Sequence, residues 1–472
     1  MAFENSETSD LSESASLSDS TKRRYERRAA QWQRRQAQLD LRHPPRKSRL
    51  GEAGTAAGTC IDVGCVDGGW TAPPPVKLLD GTTIRLFKDG QGLTAALGGI
   101  KAAKEQICLE TYIFHSDDTG RAYADALAER ARNGVRVFVI YDSFGSLQSD
   151  PAMFLKMREA GVHLAEFHPL RPWDCNHSWR PLNRDHRKLL VIDNHIAGLG
   201  GLNVGSEYGS GFLTPRARRA ELWRDNAISL VGPGAAVFAD CFARTWRYVH
   251  RGGLIRAAEM IHCIDLGHVT RVSALKAPSP ILKPGVRPPR LLSDLGVLAS
   301  VPAAKSPLVL FLQNLVRDAR YTLDLTIAYF APSDVLIGEL LRAARRGVQV
   351  RLMLSGRSDI QAVRVAAHAF YESMLSAGVE IFERQGAVLH AKTMVVDEEI
   401  SVLGSTNLDY RSIEFNCELS AVIRNREFGR QMTGLFQHDA GYAMKFELSQ
   451  WRKRPWRDRA IQWAASRARY LL

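Results

Sequence analysis

Two stretches decide the reading of this chain: HRKLLVID at 186–193 and HAKTMVVD at 390–397. Both have the form His-x-Lys-x-x-x-x-Asp. The apolar residues after the lysine predict a buried strand. On a strand, positions i and i+2 point to one face, so His186 shares a face with Lys188, and His390 with Lys392. The carboxylates Asp193 and Asp397 fall at the strand end, where they can hold neighbouring groups in place. A second strand returns through 196–199 and 400–403 and ends in glycines, at Gly200 and Gly201 in one copy and Gly404 in the other. A backbone without Cβ there lets a substrate approach. Asn203 and Asn407 follow with amide donors.

The two stretches are in register. His186, Lys188, Asp193, Gly200 and Asn203 each precede their counterparts His390, Lys392, Asp397, Gly404 and Asn407 by 204 residues. At ordinary residue usage the three motif positions match about once in 8,000 starts, so a doubled and extended match is not a coincidence. Further out, ALAERARNGVRVFV at 126–139 and ELLRAARRGVQVRLM at 339–353 are each an amphipathic helix closed by glycine and followed by an apolar strand. Strands are expected at 106–114, 135–141, 321–330 and 348–354, with helices over 120–133 and 334–346. Strand–helix–strand order makes a parallel sheet the default. The core therefore reads as an α/β tandem duplication of a unit of about 190 residues, with one site shared by both copies.

Two imidazoles, two lysines and two asparagines suit a phosphodiester. The substrate is an anion, and the cations and amides can neutralise and hydrogen-bond its oxygens so that phosphorus is open to attack. One neutral imidazole can attack and form a phosphohistidine. The other, protonated, can donate to the leaving alkoxide and then deprotonate the acceptor. Both rings need orientation at their second nitrogen. Asp225 in ELWRDNAISLVGP and Glu418 in EFNCELSAVI precede alternating apolar runs and are expected on strands, each beside the histidine of its own half. The scheme calls for no cofactor and no metal, since no carboxylate-dense or tight Cys/His cluster occurs. The seven cysteines are scattered without Cys-x-x-Cys, as reduced thiols are. His177 and His195 have no duplicate and are read as structural or surface residues.

These motifs resemble the signature of the phospholipase D superfamily over residues 76–472. LETYIF with Glu110 and Tyr112, YDSFGS, NRDHRKLLVID, GGLNVGSEY, LWRD, IAYFAP with Tyr329 and Phe330, and GSTNLDYRSIEFNCE narrow the resemblance to bacterial cardiolipin synthases. The resemblance implies duplicated phospholipase D-like domains, each a mixed, mostly parallel sheet flanked by helices, with the active site at a pseudo-two-fold interface. It implies transfer of a phosphatidyl group, commonly between phosphatidylglycerol molecules with release of glycerol, with His186 as nucleophile and His390 as acid/base. Hydrolysis to phosphatidic acid is the alternative, and a nucleic-acid phosphodiesterase a more remote one. Many of these synthases carry amino-terminal membrane-spanning helices, where this chain has a charged tail. Both motif aspartates are present, unlike in the branch acting on protein–DNA adducts.

The net charge of +13 favours an anionic partner. The expected one is an anionic phospholipid membrane, with phosphatidylglycerol as substrate and no nucleic acid. No signal peptide or membrane-spanning stretch is read, so the expected location is peripheral, at the cytoplasmic face of the bacterial inner membrane. Residues 1–75, Ser-rich and acidic and then Arg-rich, read as a disordered extension with at most one transient helix around 25–41. Domains are expected over 76–264 and 307–472, joined by a proline-dotted connector over 265–306. The carboxy-terminal WRKRPWRDRAIQWAASRARYLL places Trp456, Trp463 and Tyr470 on one helical face, suited either to the headgroup layer or to docking on the domain.

Overall fold

Strand Gln106–Thr111 leads into helix Asp118–Arg132 and then strand Arg136–Asp142, and the two strands pair in parallel. Every residue of the first strand is buried, because helices cover both faces of the sheet. The helix begins where the Asp117 carboxylate accepts the Gly120 N–H, and it stops before Gly134, whose φ of 84° a side chain would strain. The second copy repeats the unit with strand Thr322–Ile327, helix Asp334–Arg345 capped by Ser333, Gly347 at φ 93° and strand Gln349–Ser355. The structure is a computed structural model and describes residues 19–42, 69–172, 179–209, 223–250, 262–263, 294–301 and 307–467.

The two sheets have the same order. In the first, the strands run Val76–Lys77, Thr83–Lys88, Asn226–Val231, Ile196–Gly200, Leu189–Ile192, Gln106–Thr111, Arg136–Asp142 and His163–Phe167. In the second, they run His262–Cys263, Leu295–Ser300, Asn416–Arg424, Ile400–Gly404, Lys392–Val396, Thr322–Ile327, Gln349–Ser355, Glu380–Arg384 and Ala443–Lys445. Apart from a short ladder between Arg184–Asp185 and the start of Asn416–Arg424, parallel pairing within each sheet is confined to the three strands joined by crossover helices. The motif hairpins and the strands beyond them pair antiparallel. The sheets are thus mixed, and "mostly parallel" describes only one side of each.

Two observations bear on the expected boundaries. Leu295–Ser300, inside the expected connector, pairs with Asn416–Arg424 of the second sheet and takes His262–Cys263, from the end of the expected first domain, as its other neighbour. Helix Asp19–Arg42 lies within the extension read as disordered. Tyr25 and Ala29 are buried; Tyr25 Oη lies 3.1 Å from Tyr141 Oη, and Arg24 and Arg28 each reach Glu166 at 2.9 Å. The few apolar residues of this stretch suffice because they occupy one face and meet a prepared surface. The serine-rich start, His177 and Tyr470 lie outside the described residues.

Asp193 and Asp397 do not join the histidines. The Asp193 carboxylate accepts the N–H groups of Lys104, Glu105 and Gln106 at 2.8–3.0 Å, and Asp397 those of Arg320, Tyr321 and Thr322 at 2.7–3.3 Å. Each ties its hairpin turn, which has φ near 52° at the aspartate, to the start of the neighbouring strand. Seven residue steps of strand separate each from its motif histidine, roughly 20 Å. Asp193→Ala and Asp397→Ala are each expected to lower stability by about 1–3 kcal/mol through the lost backbone acceptors. Asp193→Asn, which keeps an acceptor oxygen and tolerates the left-handed backbone, should lose less. Thermal unfolding checks this, and an unchanged midpoint in both alanine variants refutes it.

Candidate active site

The motif histidines are placed by two short parallel ladders that cross between the halves. Arg184–Asp185 pairs with Asn416 and Cys417, and Val388–Leu389 pairs with Trp223–Arg224. The His186 N–H then donates to the Cys417 carbonyl at 3.0 Å, and the His390 N–H to the Arg224 carbonyl at 2.8 Å. The next residues across are Glu418 and Asp225. His186 Nδ1 lies 3.1 Å from both Glu418 carboxylate oxygens and 3.1 Å from the Ser405 carbonyl. His390 Nδ1 lies 2.8 Å from Asp225 Oδ2.

Each carboxylate therefore meets the histidine of the other half, and the expectation that it stands beside its own is corrected. Register explains the crossing. Gly200 pairs with Ala227 and Gly404 with Ser420, so Asp225 and Glu418 lie two residues beyond the ladder with their own motif hairpin. They project instead into the partner half. Gly201 is required beside Asp225: a Cβ there would sit 2.2 Å from Oδ1. Its counterpart Ser405 donates its hydroxyl to the longer Glu418.

All six polar groups of the centre are buried. Burial, then the charge of Lys188, pushes His186 down to about 4, against the pull of Glu418. Burial and Lys392 push His390 down to about 3. Values this low keep both rings neutral at neutral pH. Burial opposes ionisation of Glu418 and Asp225 too, but the facing histidines and lysines outweigh it and hold both below the ordinary carboxylate range. An ionised carboxylate on Nδ1 takes the ring proton there, leaving the Nε2 lone pair free. Burial lowers Lys188 to about 7 and Lys392 to about 8, and Lys392 adds to the effect on Lys188. The Lys188 ammonium donates to the His186 carbonyl at 2.5 Å, and that of Lys392 to the His390 carbonyl. Two lysines gathered in a buried site, each also attracted by Glu418 and Asp225, suit an anionic substrate between them.

The asparagines divide. Asn203 accepts from the Ile113 N–H at 3.2 Å and donates to Tyr208 Oη at 2.9 Å, so one amide hydrogen remains for a ligand. Asn407 is buried, and its side-chain oxygen has no partner among the described residues. Among those residues no group of three or more His, Cys, Asp or Glu is arranged to hold a metal.

Sequence reasoning missed the aromatic and ionic surroundings. Tyr208, Trp223 and Tyr329 stand 5.5, 5.0 and 6.2 Å from the His390 ring, while Tyr112 stands 5.1 Å from His186. Arg224, next to Asp225, makes a buried bidentate pair with Asp439 of the other half at 2.8 and 2.7 Å. Arg184 reaches Asp142 at 3.3 Å, and Asp142 also accepts the Asp185 N–H at 2.8 Å. The LWRD phrase held the signal for Trp223 and Arg224; nothing in the sequence pointed to Asp439.

Comparison with known proteins identifies the family. The family model described as "Cardiolipin synthase, PLD-like domain" matches residues 97–208 and 312–440. The chain is 30% identical over 364 residues to cardiolipin synthase A of Pseudomonas putida (strain W619), covering 75% of this chain and 68% of that protein. It is 28% identical over 393 residues to the cardiolipin synthase of Halalkalibacterium halodurans, covering 81% and 70%. Among solved structures, phosphatidylserine synthase of Haemophilus influenzae Rd KW20 superposes with a TM-score of 0.60 at 14% identity, over 82% of this chain and 95% of that one, a likeness of fold.

The crossed pairing is open to nitrogen NMR of labelled histidines. Glu418→Gln is expected to disturb the Nδ1–H tautomer of His186 and leave His390 unchanged, with the reverse for Asp225→Asn. Perturbation of the histidine in the same half would refute the crossing.

Proposed function

Because the chain belongs to the family of cardiolipin synthases with the PLD-like domain, we propose that it is a phosphatidyltransferase that moves a phosphatidyl group from one phosphatidylglycerol to another and releases glycerol. The observation that carries this is the convergence of two imidazoles, each with a carboxylate of the other half on Nδ1, upon two buried lysines. In this reading the donor phosphate lies between Lys188 and Lys392, with Asn203 and Asn407 supplying further amide donors. Its negative charge raises the histidines from their depressed values.

His186 Nε2 attacks phosphorus, and the P–O bond to the glycerol headgroup breaks. His390, protonated, gives its Nε2 proton to the departing alkoxide. The imidazolium of the N-phosphorylated ring is balanced by Glu418, as Asp225 balances protonated His390. The second phosphatidylglycerol then loses a hydroxyl proton to His390, its oxygen attacks phosphorus, and His186 is released. The choice of His186 as nucleophile follows the family resemblance.

Membrane contact is proposed to be peripheral, at the cytoplasmic face of the inner membrane. No described helix is long and apolar enough to cross a membrane. Helix Trp456–Arg467 rests on helix Gln361–Ser376 through its buried Gln462 and Ser466, and leaves Trp456 74% and Trp463 61% exposed. Arg457 and Arg467 lie over those two rings. Interleaved Trp and Arg suit the headgroup layer.

Purified protein with phosphatidylglycerol vesicles and excess chelator is expected to form cardiolipin and glycerol. His186→Ala and His390→Ala should each reduce turnover by at least about a thousandfold. Phosphatidic acid without cardiolipin would support hydrolysis instead, and no turnover sinks both readings.

The lysines set a pH dependence for anion binding. Their folded values of about 7 and 8 lie below the ordinary 10.5. Between those values and 10.5 the unfolded chain binds more protons, so stability rises with pH across that window. A bound anion favours the protonated lysines. Sulfate, whose charge is constant over the range, should raise the melting temperature most below pH 7, with the gain fading above about 8. A gain independent of pH, or one retained when both lysines are replaced by alanine, contradicts this.

A further inference from the structure

The duplication supplies an internal control for one feature of the first half. Helix Gln91–Ala102 precedes strand Gln106–Thr111 as helix Pro307–Asp318 precedes strand Thr322–Ile327, in both cases at an offset of 216 residues. At this offset Gly92, Ala96 and Gly99 correspond to Leu308, Leu312 and Leu315. The three leucines are buried in the second core. On the sheet, Gly198 stands opposite Leu190 where the second copy sets Val402 opposite Met394. Large side chains thus fill the space in one half; in the other, Gly92 and Gly99 sit close against Leu202 and Ile192, where a Cβ would come within 2.7 and 2.8 Å, and the room lies beside Ala96 and Gly198.

The result is an apolar slot of about 210 Å³ between helix and sheet. Its walls run along the motif strand from Lys188 to Ile192, about 13 Å at ordinary strand rise. One end carries Lys188 of the catalytic pair together with Glu110 and Thr111, and the rest is mostly apolar. An unfilled space of this size is costly to a fold, because its lining forgoes dispersion contacts. An elongated apolar ligand with an anionic head at the Lys188 end would restore them.

We propose that this slot receives a fatty acyl chain of the phospholipid whose phosphate lies between the two histidines. The assignment rests on the reading of the chain as a phosphatidyltransferase. It makes the first half the one that grips the lipid tail, with the second half closed to it by its leucines.

The test installs the second half's residues in the first, as Ala96→Leu with Gly198→Val. A Cβ at Gly198 would meet its nearest neighbours at 3.8 and 4.0 Å, ordinary contact distances. With dioleoyl phosphatidylglycerol in mixed micelles, kcat/KM is expected to fall at least about tenfold, while monomeric dihexanoyl phosphatidylglycerol is turned over within about twofold of the unsubstituted protein. Equal effects on both substrates, or on neither, overturn the slot. Should the variant not fold, the unsubstituted chain decides: phosphatidylglycerol carrying a diazirine on one acyl chain should label the peptides of 91–102 or 188–199. Labelling confined to other peptides, including masking of the slot by another segment of the chain, overturns the proposal. If the unsubstituted protein turns over neither lipid, the transferase reading fails, and photolabelling still decides the slot.

Discussion

The site depends on two short ladders that carry each motif strand across to the other half. A histidine held at its backbone N–H by Cys417 or Arg224 has its ring delivered to the following residue, Glu418 or Asp225. Neither half holds a complete set of catalytic groups. Buried ion pairs secure the crossing, above all Arg224 with Asp439. Such a pair returns little net stability, since desolvation offsets its attraction, but losing one partner leaves a charge stranded in the interior. Its effect is to make one register of the interface much better than its neighbours.

The same burial works against the charges of the site. Lys188 and Lys392 are lowered because water has been removed, and the nearby Glu418 and Asp225 offset only part of that. The fold, held elsewhere by extensive apolar cores in each half, accepts this cost locally. Groups preorganised around a missing charge need little rearrangement when the charge arrives. Protein stability and anion affinity are therefore opposed at these two residues, and the lysines set the pH range in which that opposition acts.

The copies have diverged where symmetry is not needed. Gly201 makes room for Asp225, and Ser405 reaches the longer Glu418. His390 is ringed by Tyr208, Trp223 and Tyr329, whereas among the described residues His186 has Tyr112 as its one such close ring contact. Beneath one helix the first half keeps glycines and alanines where the second has leucines. Two imidazoles with different surroundings can take different parts in one reaction although their immediate ligands are alike.

Much of this was legible in the chain itself. Strand periodicity put His and Lys on one face, the constant spacing of 204 residues revealed the duplication, and the phrases around the motifs indicated the family. These are local or repeated patterns, which survive in one dimension. What depended on register did not. Asp225 and Glu418 were recognisable as orienting groups, but only the length by which their strands overrun their own hairpins sends them across the interface. Asp193 and Asp397 belong to the motif by spacing, yet a full strand length separates them from the histidines, and their carboxylates hold backbone. The Arg-rich segment was too polar to promise a docked helix until Tyr141 and Glu166 supplied a surface for it. Sequence thus determined which residues carry the chemistry and that they come in pairs; tertiary structure decided which members of the pairs meet, because pairing between strands is settled by contacts that neither strand contains alone.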